Sequence, residues 1–169
     1  MALNPRCVGT KYPPAHPYPV ESETIRRFAE AVGDPAPVYT DPEAARALGH
    51  PAVLAPPTFS FVVVARAMHE VFDYEEIGFD PTYIVHGNQR FDYTRPIQAG
   101  DRLVTTVEIT GARTLRGRDV LSLRADLADS DGGHVVTTHM TFVAMNAVNA
   151  VNASPTNAVE GGGSDGDRR

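Results

Sequence analysis

The chain has 169 residues, 42% of them apolar, and a net charge of −6. This length allows one domain with a hydrophobic core, and the acidic balance argues against nucleic acid or an anionic membrane surface as a partner. Cys7 is the only cysteine, which excludes an intrachain disulfide. No segment has the roughly 20 uninterrupted apolar residues of a membrane span, and no signal peptide is recognisable. We therefore expect a cytoplasmic protein without a membrane span.

Two short helices are predicted first. Ser22 is a suitable N-cap for a helix that ends at Gly33, and its apolar residues follow the spacing of one buried face: Ile25, Phe28, Ala29 and Val32. Asp41 and Pro42 have the residue types of an N-cap and a first helical position, and the second helix extends to Gly49. The stretch between the two helices, GDPAPVY, is rich in turn-forming residues and connects them as a loop.

Residues 56–72, PPTFSFVVVARAMHEVF, have almost no polar face. The run of valines would suit a strand, but the length favours a helix of about 24 Å at 1.5 Å per residue. A helix that is apolar nearly all round has to be buried on most sides. These residues therefore predict a long central helix.

From Tyr83 onward the apolar period is two, which is typical of strands. Alternation is clearest around Leu121 and Leu123, and the turn sequence Asp131–Gly133 leads into a partner strand at residues 134–145. Further strands are predicted at 83–94, at 101–110 and near Tyr18. A hairpin loop at 111–119 would carry three arginines: Arg113, Arg116 and Arg118. Together these elements predict an α+β fold, in which an antiparallel sheet of about five strands wraps around the long helix.

The composition changes after Met145. Residues 146–169 repeat Asn-Ala-Val and then become rich in Gly, Ser and Asp, so they lack the large side chains that would offset the entropy of ordering. The sequence therefore predicts one domain at residues 1–145 and a flexible tail at residues 146–169.

The loop after the first helix resembles the hydratase motif of MaoC-like dehydratases, a family with the hot-dog fold. The matching positions include Gly33, Asp34, Pro37, Asp41 and Gly49. Two positions differ from the family pattern. Ala36 occupies the place of an asparagine, and Tyr39 occupies the place of the catalytic histidine. A tyrosine, with a reference pKa of about 10, is a poor general base near neutral pH.

Two further segments, LAPPTF (54–59) and QRFDYTRPIQAGDRL (89–103), are similar to the N-terminal branch of that family. This branch includes the acyl-binding subunit of heterodimeric (3R)-hydroxyacyl-ACP dehydratases, and the resemblance covers about residues 5–145. Active relatives have a glycine N–H at the start of the central helix that meets the thioester oxygen. Pro57 aligns with that glycine and has no N–H to donate.

The resemblance, together with His86 as the best substitute for the missing histidine, leads to two sets of site residues. The catalytic candidates are Asp34, His86 and Tyr39, although an aspartate after a glycine is also ordinary turn chemistry and His86 also fits the end of a strand. The substrate-binding candidates are Pro57, Thr58, Phe59, Gln89 and Phe91, of which Gln89 and Phe91 fit plain packing equally well. The scattered histidines form no convincing metal site, and we expect neither a metal nor a cofactor.

Three functions remain open. The first is a non-catalytic, acyl-thioester-binding subunit of a (3R)-hydroxyacyl-ACP or -CoA dehydratase that needs a MaoC-like catalytic partner. The second is a self-sufficient homodimeric enoyl-thioester hydratase that uses Asp34 and His86. The third is a homodimer that binds acyl-CoA without chemistry. The sequence does not choose between acyl-CoA and acyl-ACP as the ligand.

Overall fold

The structure of the chain is a computed structural model that describes residues 2–12 and 16–145. Its regular helices are α1 (Ser22–Val32), α2 (Pro42–Ala47) and α3 (Ser60–Phe72), and short 3-10 turns connect several elements. The strands are β1 (Lys11–Tyr12), β2 (Tyr18–Pro19), β3 (Ile84–Tyr93), β4 (Arg102–Leu115), β5 (Arg118–Ala128) and β6 (His134–Met145). The predicted tail at 146–169 lies outside the described residues.

Two predicted helix starts need correction. In α1 the N-cap is Glu21 and Ser22 is already helical, without a side-chain cap. The long helix starts at Ser60 instead of residue 56, because Pro56 begins a separate turn in which its carbonyl accepts from the Phe59 N–H. The cap of α2 is as predicted, since the Asp41 side chain accepts from the Glu43 N–H at 2.8 Å.

All paired strands run antiparallel in the order β1-β4-β5-β6-β3, and β2 pairs with the start of β4. The predicted α+β class is confirmed. Within the described residues the sheet has six strands rather than about five, because β1 is only two residues long and too short to show an alternating pattern.

One face of the sheet carries the core. On β5 the predicted alternation is confirmed, and the side chains on the inner face are almost fully buried: Leu121, Leu123, Ala125 and Leu127. Helix α3 packs on this face through Val63, Val64 and Val71 among others. Because the buried helix and the sheet cover each other's apolar surfaces, the domain has two layers around one core.

The β4–β5 connection is shorter than the sequence predicted. Only Arg116 and Gly117 lie between the strands, and both have positive φ, which fits a two-residue hairpin turn. Gly111, which the sequence predicts to lie in the hairpin loop at 111–119, belongs to β4 and lies next to a β-bulge. Arg113 and Arg118 therefore belong to strand ends and not to a long loop.

Strand β3 forms one edge of the sheet and contains a β-bulge at Gly87. The register places His86 opposite Phe142, but Asn88 opposite Thr141, so Gly87 has no partner of its own. A bulge changes which face the following side chains point to. As a result, the inner face of β3 carries His86, Gln89, Phe91 and Tyr93, opposite Phe142, Met140, Thr138 and Val136 of β6.

Candidate functional site

The loop between α1 and α2 places an acidic side chain beside a phenol. Helix α1 ends at Gly33, whose φ of 71° turns the chain out of the helix. The Asp34 carboxylate then accepts from the Ala36 N–H at 3.2 Å, as an aspartate in a turn commonly does. A 3-10 turn at Pro37–Tyr39 brings the chain back and sets the Tyr39 ring next to Asp34.

This neighbour makes Tyr39 harder to ionise. Burial of the ring raises the pKa of the Tyr39 hydroxyl first, and the negative charge and hydrogen bonding of Asp34 raise it further. At neutral pH Tyr39 therefore keeps its proton. It is suited to donating a hydrogen bond and unsuited to removing a proton from a carbon acid.

The turn before α3 is held against this loop and against β3. The Leu54 N–H donates to the Val38 carbonyl at 3.0 Å, which joins the two loops. The Tyr93 hydroxyl donates to the Pro57 carbonyl at 2.7 Å. Partial burial raises the pKa of Tyr93, while the side chain and backbone of Ser60 lie close enough to oppose that rise. The backbone at Pro57 thus presents a carbonyl already bonded to Tyr93 and no N–H.

The other predicted binding residues of this turn differ in exposure. Thr58 is exposed at the surface beside Pro57. Phe59 is fully buried, and its ring meets Phe28 edge-on at 5.4 Å and Tyr18 at 6.5 Å. A ligand reaches Phe59 only if these rings move, so its burial favours a role in the core.

Two cavities lie at opposite ends of the inner face of β3. The cavity at the Tyr93 end has a volume of about 340 Å³ and is lined by Ala55, Pro57, Tyr93, Thr94, Arg95 and Ile97, among others. The cavity at the His86 end has about 620 Å³ and a mostly apolar lining that includes Phe61, Met68, Phe72, His86 and Phe142. Gln89 and Phe91 lie between them on the same face of the strand.

His86 is an aromatic wall of the larger cavity. Its ring stacks on Phe142 with centroids 4.6 Å apart and lies 5.1 Å from Phe61. Six paired positions separate it from Tyr93, which corresponds to about 20 Å along the strand at about 3.3 Å per residue. Asp34 belongs to the loop joined to the Tyr93 end. Among the contacts within the described residues, none brings Asp34 and His86 together.

Tyr93 is a site residue that the sequence motifs do not indicate, although a local signal for it exists. Gln89 and Phe91 are alternate residues of one strand, and the same period of two continues to Tyr93. The contact of Tyr93 with Pro57 spans 36 positions of the chain, and no local pattern indicates it.

Within residues 2–12 and 16–145, no cluster of three or more His, Cys, Asp or Glu side chains could hold a metal ion. In the same part of the chain, none of the helices combines the length and the apolar character that crossing a bilayer requires.

The sheet order, the long helix on its inner face and the loop before that helix define the hot-dog class. Among solved structures, the HadBC (3R)-hydroxyacyl-ACP dehydratase complex of Mycobacterium tuberculosis is similar, with a TM-score of 0.74 and 28% identity over 81% of this chain and 96% of that chain. A MaoC-like dehydratase superposes with a TM-score of 0.78 and 34% identity. The superposition covers 84% of this chain and 43% of that chain.

Sequence comparison identifies the family. The family model of the FAS1-like, dehydratase domain region matches residues 6–138. A UPF0336 protein of Streptomyces avermitilis is 51% identical over 144 residues, which are 85% of this chain and 96% of that protein. The chain belongs to this FAS1-like dehydratase-region family.

Proposed function

We propose that the chain is the acyl-thioester-binding, non-catalytic subunit of a (3R)-hydroxyacyl-thioester dehydratase and works with a MaoC-like catalytic partner. The observation that carries this proposal is the Asp34–Tyr39 pair. Dehydration of a 3-hydroxyacyl thioester needs a group that accepts a proton from the α-carbon and donors for the developing enolate oxygen. Tyr39 holds its proton beside a carboxylate, and Pro57 has no N–H, so this chain lacks both parts at the matching positions.

Two cavities beside β3 support a role in acyl binding. One has about 620 Å³ and a mostly apolar lining at the His86 end, and the smaller one lies beside Pro57 at the other end. A subunit with an acyl-binding cavity and without a base would select the acyl chain while its partner supplies the chemistry. The similar HadBC structure is a dehydratase complex, and the chain spans 43% of a single-chain MaoC-like dehydratase; both support the need for a second unit.

The alternative of a self-sufficient hydratase that uses Asp34 and His86 has less support. Within one chain these side chains belong to opposite ends of the β3 face, and His86 is engaged with Phe61 and Phe142. A binding protein without chemistry agrees with the same geometry, and the following experiment separates it from the proposed function.

The test follows the loss of absorbance of short and long trans-2-enoyl-CoA substrates on hydration. The chain is assayed alone, then mixed with a MaoC-like protein encoded beside it, and then mixed with that partner after its catalytic histidine is changed to alanine. We expect turnover only in the mixture with the intact partner. Removing the partner's base should lower the rate by a factor of about 10² or more.

Three results would contradict the proposal. Turnover by the chain alone would mean that Asp34 and an unrecognised helper suffice. Turnover that survives loss of the partner's histidine would place the base in this chain. If both mixtures stay silent while the chain binds acyl-CoA, the binding-protein alternative would replace the proposed function.

A further inference from the structure

Four side chains near the C-terminal end of β3 form one continuous chain of hydrogen bonds. The Thr94 hydroxyl lies 2.6 Å from Nδ1 of His134, and Nε2 of the same imidazole lies 2.9 Å from the hydroxyl oxygen of Thr137. The Thr137 hydroxyl donates to the Asp126 carboxylate at 2.6 Å. These bonds connect the segment after β3 with β6 and β5, and the proposed function makes no use of them.

The carboxylate fixes the direction of each bond in this chain. A carboxylate only accepts, so the single proton of the Thr137 hydroxyl is donated to Asp126. The Thr137 oxygen then accepts from Nε2, which places the proton of the neutral His134 imidazole on that nitrogen. Nδ1 keeps its lone pair, and this lone pair accepts from the hydroxyl of Thr94. The neutral His134 is therefore arranged to take the proton of Thr94.

The chain of bonds is anchored at its inner end and open at its outer end. Thr137 is buried, with 8% of its surface exposed, and Asp126 also accepts from Arg124 at 3.0 and 3.2 Å. Thr94 and His134 are exposed. A surface histidine that is held at both ring nitrogens loses side-chain entropy, and water could satisfy the same nitrogens without that loss. Burial alone therefore does not explain why His134 is held in this position.

The backbone holds the two outer residues together and next to a cavity. The Thr94 N–H donates to the Val135 carbonyl at 2.9 Å, which fixes Thr94 against the strand that carries His134. Thr94 belongs to the lining of the smaller cavity, of about 340 Å³, whose wall also includes the apolar side chains of Ala55 and Ile97. A hydroxyl bonded to a base, with the base oriented by a third group, is the arrangement of an activated nucleophile.

We propose that Thr94 is a nucleophile that accepts a short acyl group from a thioester, with His134 as its general base. The Thr94 oxygen bonds to the acyl carbonyl carbon while Nδ1 of His134 takes the hydroxyl proton. The carbon–sulfur bond then breaks, and His134 gives the proton to the departing sulfur, which leaves a free thiol and an ester on Thr94. Water attacks this ester with His134 again as the base, and the products are a carboxylic acid and the restored Thr94 hydroxyl.

The addition step places negative charge on the carbonyl oxygen, which needs a hydrogen-bond donor. Arg95, the next residue in the chain, lines the same cavity and can supply one. Its terminal nitrogens donate to the carboxylates of Asp101 and Asp129 and to the Pro96 carbonyl, while its Nε makes no hydrogen bond within the described residues. This activity goes beyond the proposed function, because it breaks a carbon–sulfur bond and does not use Asp34.

The test uses the purified full chain without a partner and butyryl-CoA as the probe. A chromogenic disulfide measures the free thiol, and intact-protein mass spectrometry measures a butyryl group on the chain. Hydration of an enoyl thioester releases no thiol, so this readout is independent of the dehydratase assay. We expect thiol release by the wild type. Thr94→Val and His134→Gln should each lower its rate by a factor of about 10², whereas Thr94→Ser keeps a hydroxyl and should retain most of it.

The matched control is His139→Gln. His139 lies on the same strand as His134, but its Nε2 lies 3.3 Å from Asp92 and it has no bond to Thr94 within the described residues. This variant should release thiol at the rate of the wild type. Thr137 is a positioning residue, so Thr137→Val should lower the rate and Thr137→Ser should restore it, with equal thermal midpoints showing that the fold is unchanged.

The outcomes separate this inference from the proposed function. A rate that depends on Thr94 and His134, but not on His139, supports the inference. Absence of thiol release by the wild type, or release that survives Thr94→Val, would overturn it and leave the proposed function standing. Equal losses in His134→Gln and His139→Gln would also overturn it, because they would show that the position of the imidazole is irrelevant.

Discussion

At the scale of single residues, the exchange of a histidine for Tyr39 changes which way a proton can move. A neutral imidazole can accept a proton near neutral pH, whereas the phenol of Tyr39 gives one up only at high pH. Asp34 strengthens this contrast, because its negative charge disfavours a second negative charge on the phenolate. A phenol that keeps its proton can donate a hydrogen bond to a substrate oxygen, and it is poorly suited to abstracting a proton.

We predict that Asp34→Asn lowers the pKa of Tyr39. The variant removes the charge, while the burial that also raises this pKa stays in place. The measurement is a ¹³C NMR titration of ring-labelled tyrosine, with the Tyr39 signal assigned from Tyr39→Phe. Asp41→Asn is the control, since this carboxylate belongs to the same loop but caps α2 instead of contacting Tyr39. An unchanged Tyr39 titration in Asp34→Asn would disprove the coupling.

At the scale of elements, one arginine fixes the segment that follows β3. Arg95 makes two bonds to Asp101, at 2.9 and 3.1 Å, and one to Asp129 at 3.3 Å. Asp101 also accepts from the Gln98 N–H, so the turn into β4 and the turn after β5 are held by the same guanidinium. Arg95 also lines the smaller cavity, so its bonds to Asp101 and Asp129 fix the position of this part of the cavity wall.

From the bonds that Arg95 makes to Asp101 and Asp129, we predict that Asp129→Asn loses stability in a pH-dependent way. The N–H of Gly133, then Arg95 and the N–H of Asp131, hold the pKa of Asp129 below its ordinary value in the folded protein. A lowered pKa stabilises the fold above the unfolded pKa of about 4, and this contribution disappears as the pH falls through the folded pKa. The variant should be less stable than the wild type at pH 7, and the difference should narrow below pH 4.

Urea unfolding at pH 7, 5, 4 and 3 measures this difference. Asp131→Asn is a matched control in the same turn. The Asp131 backbone N–H donates to Asp129, but its side chain makes no ion pair in the described structure. Its stability should follow that of the wild type at every pH. A constant difference between Asp129→Asn and the wild type across this range would show that the charge of Asp129 is not responsible.

The sequence correctly predicts those helices and strands whose local pattern of apolar residues agrees with their surroundings in the fold. The alternation in β5 identifies the buried face because one side of that strand meets the core and the other does not. The two-residue turn at Arg116 and the bulge at Gly87 were missed, since both depend on pairing with a neighbouring strand. The bulge at Gly87 places His86 and Gln89 on the same face of β3, whereas a regular strand with a period of two would place them on opposite faces.

For the candidate site, the loop motif led to Asp34 and Tyr39, and the structure brings these two together. The hydrogen bond between Tyr93 and Pro57 and the unpaired amide of Gln89 could not be predicted from the sequence. They arise from contacts between segments far apart in sequence and from burial that no single segment determines.

At the scale of the whole molecule, the sheet has an incomplete edge. Strand β3 pairs with β6 on one side and with no strand on the other within the described residues. Large apolar side chains lie exposed on it or next to it, with Tyr83 61%, Val85 64% and Tyr93 36% exposed. An exposed edge with apolar side chains is a site where another chain can add its own strand. The two cavities beside β3 lie at this same edge, so a partner here would also border the proposed acyl site.

We therefore predict that Val85→Lys weakens association of the chain with a second hot-dog chain, either another copy or the catalytic partner. A lysine on an edge strand opposes strand addition, and Val85 is exposed enough that its replacement should change the free energy of unfolding by no more than about 0.5 kcal/mol. We expect the dissociation constant from sedimentation equilibrium to rise about tenfold, which corresponds to about 1.4 kcal/mol. Leu48→Lys is the matched control, because Leu48 is 67% exposed at the end of α2 and away from the edge. Equal weakening by both variants would indicate a general charge effect, and unchanged association of Val85→Lys would mean that the partner binds elsewhere.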